Sequence, residues 1–215
     1  MQDANVRCVK SQPKPPAPIA LPDGRRQRSE RTRVKLAEAL LALVHEGNLS
    51  PSAEEIAERS GFSRRAVFHH FNEMETLYET AIELETKRVE ATLPALKRTG
   101  SYAERLASLV SQRAARYSAL GPAIAAANLR KGDSSVLATT IRKERARMRR
   151  EVLAQFAAEL DAHPADARAE IVAALVAVTE YPFWESLRIE QRLGAQVAER
   201  TLARTISAVL GVGRR

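Results

Sequence analysis

Four histidines and one cysteine are the side chains best suited to metal or nucleophilic chemistry, and their spacing supports neither. His69 and His70 are neighbours, so on a helix their rings diverge by about 100° and do not readily share a metal. His45 and His163 lie apart from them in the chain. The lone Cys8 excludes a disulfide framework and a Cys-cluster zinc site. The sequence has no glycine-rich phosphate loop, nucleophile elbow or HExxH run. Acidic pairs such as Glu54–Glu55 read as surface residues. The expectation is a chain that is not an enzyme and needs neither metal nor cofactor.

The side chains with a consistent chemical purpose are basic and polar ones between Asn48 and Phe71, in the run NLSPSAEEIAERSGFSRRAVFHHF. Ser50 is expected to cap a short helix with Pro51 in its first position. Ile56 and Ala57 form its buried side, and Gly61 ends it where a left-handed backbone is needed. Phe62 plugs the turn. Ser63 then caps a second short helix that Val67 and Phe71 hold down. Helix, tight turn and helix make a unit whose second helix can enter a DNA major groove. Arg64 and Arg65 stand in its first turn, where arginine can pair bidentately with guanine or clamp phosphate. His69 and His70 can donate hydrogen bonds to phosphate oxygens. Ser52 lies beside backbone N–H groups that favour an anion.

The preceding helix, about Gln27 to Glu46, has Leu36, Leu40, Leu43 and Val44 on one apolar stripe. Its opening turns carry Arg25, Arg26, Arg28, Arg31, Arg33 and Lys35 against a single acid, Glu30. Basic residues there oppose the helix dipole, so a polyanion is the expected reason for them. The whole chain leans the same way: 34 Lys and Arg against 26 Asp and Glu give a net charge of +8.

The elements that must position these residues are helices. Alanine, leucine, glutamate and arginine dominate beyond Gly24, and runs of alternating β-branched residues are missing, so the fold class expected is all-α with about nine helices. Gly47, Pro51, Gly61, Gly100, Gly121, Gly132, Pro164 and Gly194 read as breaks between periodic segments. Pro94 and Pro182 are expected to end or kink helices. Five prolines between Pro13 and Pro22, with no periodic apolar residues, mark 1–24 as a disordered arm. The helix-turn-helix domain is expected over 25–72. A fourth helix, about Glu73 to Leu93, should lead into a larger helical domain over 73–215. No uncharged apolar run reaches membrane-spanning length, and no secretory signal is evident at the N-terminus. A cytoplasmic protein with no membrane contact is expected.

The run from Arg33 to Leu77 resembles the DNA-binding domain of TetR-family transcriptional regulators. The matching features are VHEG (Val44 to Gly47), EEIAERSGFS (Glu54 to Ser63), AVFHHF (Ala66 to Phe71) and NEMETLYETAI (Asn72 to Ile82). The resemblance implies double-stranded DNA as partner. Ser63 to Val67, including Ala66, would face the bases, and Ser52 and His69 would contact phosphate. Two positions depart from the family pattern. Phe68 stands where tyrosine is usual, and Met74 where lysine is usual. The basic arm, with Arg25, Arg26 and Arg28, is expected to compensate by reaching phosphate or the minor groove.

The resemblance also implies a homodimer and a small-molecule effector of unknown identity bound among the C-terminal helices. Tyr117, Leu120, Met148, Val152, Phe156, Phe183, Trp184 and Leu187 are the candidate effector-contacting residues. Ile171, Leu175 and Val178 on one helix, and Val197, Leu202 and Ile206 on another, are the candidate dimer interface, because alanines between them allow close helix approach. IRKERARMRREV (Ile141 to Val152) reads as a solvated face with local ion pairs. The function expected is a sequence-specific regulator, a repressor released by its effector. The alternative is a non-specific architectural DNA-binding protein or a helical interaction module, which competition between operator and bulk DNA separates.

Overall fold

A computed structural model describes residues 24–132 and 134–213. The arm expected over 1–24 falls, apart from Gly24, outside the described residues, as does Cys8. The described residues form helices α1 (Gly24–His45), α2 (Ala53–Ser60), α3 (Arg64–His70), α4 (Met74–Glu90), α5 (Tyr102–Arg130), α6 (Ser135–Gln155), α7 (Ala157–Asp161), α8 (Ala165–Thr179), α9 (Tyr181–Glu185) and α10 (Ala195–Val209), with a π-helical turn at Ser186–Glu190. No strand occurs among them. The fold class is therefore all-α, with one helix more than the sequence reading gives.

Local chemistry explains most boundaries. Serines open α2, α3, α5 and α6, each accepting a backbone N–H from the first turn. Ser52 with Glu55, and Ser101 with Glu104, close full capping boxes. The cap of α2 is thus Ser52 and not Ser50, and Pro51 lies outside the helix, buried. The reciprocal Ser52–Glu55 bonds satisfy two backbone donors, more than Ser50 with a helical proline would. Pro94 lies in the connection after α4, and Pro182 in the first turn of α9. Gly121 is no break. α5 runs through it and Pro122 for 29 residues. A Cβ at Gly121 would come within 3.2 Å of the Tyr181 hydroxyl, so glycine there admits α9 against α5.

Two cores organise the helices. The first gathers Leu36, Leu40 and Val44 of α1, Ile56 of α2, Val67 of α3, Phe71, and Leu77, Tyr78 and Ala81 of α4. It also takes Ala123 and Ala126 of α5 and Leu137 of α6. The helix-turn-helix unit is therefore seated on the longer helices and shares their apolar surface. The second core gathers Leu109, Tyr117, Met148, Val152, Phe156, Leu175, Trp184, Leu187, Leu202 and Ile206. α4 packs on both α1 and α5 and is the physical link between the two halves.

Tyr117 lies in the second core and donates from its hydroxyl to the Thr179 carbonyl at 2.8 Å. Burial pushes its phenol up to about 12, from an ordinary 10.0. The folded state therefore holds this proton more tightly than the unfolded chain. The resulting stability is fully present below pH 10.0 and is lost as pH rises towards about 12. Urea midpoints measured across that range should fall with pH. Tyr117→Phe should give a shallower fall, though not a flat one, because burial also raises Tyr181. An equally steep fall in the variant would contradict this assignment.

Candidate nucleic-acid interface

α3 is only seven residues long, so its own hydrogen bonds cannot hold it. It is fixed at both ends. At its start, the Ser63 hydroxyl accepts from Ala66 N–H at 3.2 Å, immediately after the turn at Gly61, whose φ of 73° suits glycine. At its end, Phe71 is fully buried and its N–H returns to the Val67 carbonyl. Arg33 of α1 then clamps that end. Its guanidinium stacks over the Phe71 ring at 4.2 Å and donates to the His70 carbonyl at 2.5 Å. With Val67 buried beneath, Ser63, Arg64, Arg65, Phe68 and His69 are all exposed.

The exposed residues are not equally available. Arg65 makes no ion pair or hydrogen bond among the described residues. Arg64 pairs with Glu54 of α2 at 2.7 Å and reaches over the Phe68 ring at 5.6 Å. Both members of that pair are well exposed, so it is worth little and yields readily to phosphate. Phe68 is 42% exposed, an unusual solvation for a large apolar ring. Ala66 is half-buried beside them. Ser52 is exposed, but its hydroxyl donates to Glu55 Oε2 at 2.7 Å, so a phosphate must share or displace that carboxylate.

His70 departs from the expected role. Its Nδ1 lies 3.5 Å from the Ser29 hydroxyl of α1, and its ring is turned to that helix. Burial, followed by the neighbouring His69 and Arg33, pushes its pKa down. Its ring thus sits half-buried between α3 and α1. Met74 similarly packs on the first core, so the position where the family usually places lysine is spent on packing here. The Ser29–His70 contact packs the opening of α1, where Arg26 and Arg28 are exposed, against the end of α3.

Two positioning residues escaped sequence reading. Arg33 was only one basic residue among six. Arg130, at the end of α5, donates to the Ser50 hydroxyl at 3.0 Å, stacks over Tyr78 at 4.4 Å and faces Glu75 at 3.7 Å. It ties the loop before α2 to the C-terminal half across 80 residues of sequence, a separation that leaves no local signal.

The C-terminal candidates are placed differently from expectation. Leu175, Leu202 and Ile206 are fully buried within the single chain, because α8 and α10 pack on each other and their aligned apolar positions meet there. They have no surface for a partner. Ile171 and Val178 are half-buried, and Val197 is exposed. Of the candidate effector residues, Tyr117, Leu120, Met148, Val152, Phe156, Trp184 and Leu187 are all buried, and Phe183 packs against them. They touch as core residues do. Glu144 and Glu151, expected to form local surface pairs, instead also reach buried arginines on α5.

Among the described residues no group of His, Cys, Asp or Glu is placed to hold a metal ion, and no helix is long and apolar enough to cross a membrane. A short helix backed by a core, capped at both ends and presenting arginines outward beside a second basic helix, is the arrangement of a helix-turn-helix DNA-binding protein. The sequence profile of bacterial regulatory proteins of the tetR family matches residues 36–81, from the second half of α1 through the first half of α4. Over that segment the chain is similar to the DNA-binding domain of that family. The fold is similar to that of a transcriptional regulator from a Rhodococcus species, with a TM-score of 0.65 and 22% identity over 83% of this chain and 96% of that one. It is also similar to a proposed transcriptional regulator from Pseudomonas aeruginosa, with a TM-score of 0.62 and 20% identity over 85% and 91% of the two chains. No curated protein sequence matches the chain.

Proposed function

We propose that the protein is a cytoplasmic repressor that binds a near-palindromic operator as a homodimer and leaves it when a small molecule binds among the C-terminal helices. The observation that carries the DNA-reading part is the exposed face of α3, with Arg65 unpartnered among the described residues at its first turn and Arg33 clamping its last. Arg65 reads a base edge, and Arg64 exchanges Glu54 for phosphate. Ser52, Ser63 and His69 add backbone contacts, while Arg25, Arg26 and Arg28 follow the flanking phosphates.

The partner subunit packs on the outward faces of α8 and α10. The exposed Ala173, Ala174 and Ala177 of α8 permit close approach, and Val197 and Ala208 of α10 supply further apolar surface. Release works through α4. Its first half belongs to the DNA-reading core, and its last residue, Glu90, is bound by arginines of α5 and α6. A ligand that moves those arginines shifts α4 and with it the spacing of the two α3 helices, to the extent of its differential affinity for the two states.

Arg65→Ala is expected to weaken binding to DNA flanking the gene and to relax specificity by about 1–3 kcal/mol at one base position. Gel shifts on an operator series with single base changes check this. A uniform weakening across all sequences would instead make Arg65 a phosphate contact.

A further inference from the structure

Beneath the end of α4 lies a cleft of about 270 Å³ whose wall holds three arginines. Two of them are withdrawn from water to a degree rare for this side chain: Arg113 is 1% exposed and Arg116 3%. Their pairing is uneven. Arg116 is served by Glu90 at 3.0 Å and by Glu144. Arg147, nearer the surface, contacts Glu90, Glu144 and Glu151, each at 2.6 Å. Arg113, the most buried, has only the Glu151 carboxylate, at 3.2 Å and shared with Arg147, together with Gln112 Oε1 at 3.1 Å and the Met148 carbonyl at 3.5 Å. Its Nε has no hydrogen-bond partner among the described residues. Burial accordingly lowers the Arg113 pKa in spite of Glu151. Of the cleft's three arginines the most buried is thus the least compensated, and it lies on the wall of an open cleft.

Part of the lining is apolar. Leu93, Pro94 and Ala95 of the α4–α5 connection form it, held by the Gln112 side-chain amide donating to the Pro94 carbonyl at 3.2 Å. A planar anion on a short hydrocarbon body matches such a site: guanidinium groups take a carboxylate bidentately, and the apolar part covers the carbon skeleton.

We propose that this cleft binds a small organic carboxylate, seated on Arg113 and Arg116 with its hydrocarbon against Leu93, Pro94 and Ala95, and that it competes with Glu90 for Arg116 and Arg147. The regulatory consequence rests on the ligand-released reading above, whereas the binding itself does not. Glu90 is the last residue of α4. A carboxylate that takes its partners removes both Glu90 ion pairs and leaves Arg88–Glu38 as the remaining pair at that end, so occupancy of the cleft and the present seat of Glu90 are opposed.

The test is thermal stabilisation and calorimetric titration of the full chain with acetate, benzoate and octanoate, with benzamide as the neutral isostere of benzoate and inorganic phosphate as a simple anion. Benzoate or octanoate should stabilise saturably, and benzamide and phosphate should not. Glu90→Gln removes the internal competitor at a side chain that is 39% exposed, and should tighten carboxylate binding by about tenfold, the scale of one charge-assisted hydrogen bond. Arg147→Gln, at a side chain 36% exposed, should weaken it by a similar factor. Absence of saturable stabilisation by every carboxylate, equal stabilisation by benzamide or phosphate, or an unchanged affinity in Glu90→Gln would each overturn the proposal. Gel shifts on the same samples separate the two readings. Carboxylate binding with undiminished operator affinity would contradict release through α4 and leave the site standing. Absence of operator binding by the unliganded chain would contradict the regulator reading alone.

Discussion

Phe71→Ala is expected to abolish operator binding although Phe71 is buried and presents nothing to DNA. The ring is 1% exposed at the end of α3 and carries the Arg33 guanidinium on its face. Truncating a buried phenylalanine costs about 3–5 kcal/mol through lost burial and the remaining cavity. In a chain of this length that corresponds to a fall in Tm of about 6–20 °C. The functional loss should exceed the stability loss. Seven residues of helix depend on the Ser63 cap at one end and the Phe71–Arg33 clamp at the other, and removing the clamp frees α3 to fray. Circular-dichroism melting together with gel shifts well below the transition checks both parts. A folded variant with normal operator affinity would show that α3 is positioned by something else.

Trp184→Ala is expected to have a stability effect of the same size and the opposite functional outcome. Trp184 is 3% exposed in the second core, so its removal again costs about 3–5 kcal/mol. It belongs to a different cluster from the residues that hold α3. Operator binding at a temperature well below the variant's transition should therefore be retained. A loss below about 1 kcal/mol would instead mark the site as a loosely filled cavity, with Trp184 a wall and not a core residue.

What was legible in the sequence follows from how local each interaction is. α2, the turn and α3 are written in consecutive punctuation, Ser52, Gly61 and Ser63, with Ile56, Val67 and Phe71 beneath, and each signal acts within a few residues. The one local error, Ser50 for Ser52 as cap, arose where two serines flank a proline, and the Glu55 carboxylate decides between them. The outward residues of α3 were legible as a set, but His70 was not, because its orientation depends on Ser29, 41 residues earlier. The apolar positions of α8 and α10 showed that those helices pack, but not on what. An alternating alanine–leucine helix offers usable surface on two sides, and only the assembled chain reveals that Leu175, Leu202 and Ile206 face inward. The arginines of α5 were least legible of all. Arg113 and Arg116 resemble solvated residues in sequence, and their carboxylate partners lie 26 to 38 residues away on two other helices.

The basic opening of α1 packs against the end of α3, and the account depends on both helices facing one duplex. Guanine N7 methylation protection on DNA flanking the gene is the most direct test, since N7 lies in the major groove where Arg64 and Arg65 would enter. Two protected clusters on one face of the duplex are expected, about 10 base pairs apart or a whole multiple of that, each lost or weakened in Arg65→Ala. Binding that leaves N7 reactivity unchanged, or protection that Arg65→Ala does not alter, would contradict the assignment of α3 as the reading helix.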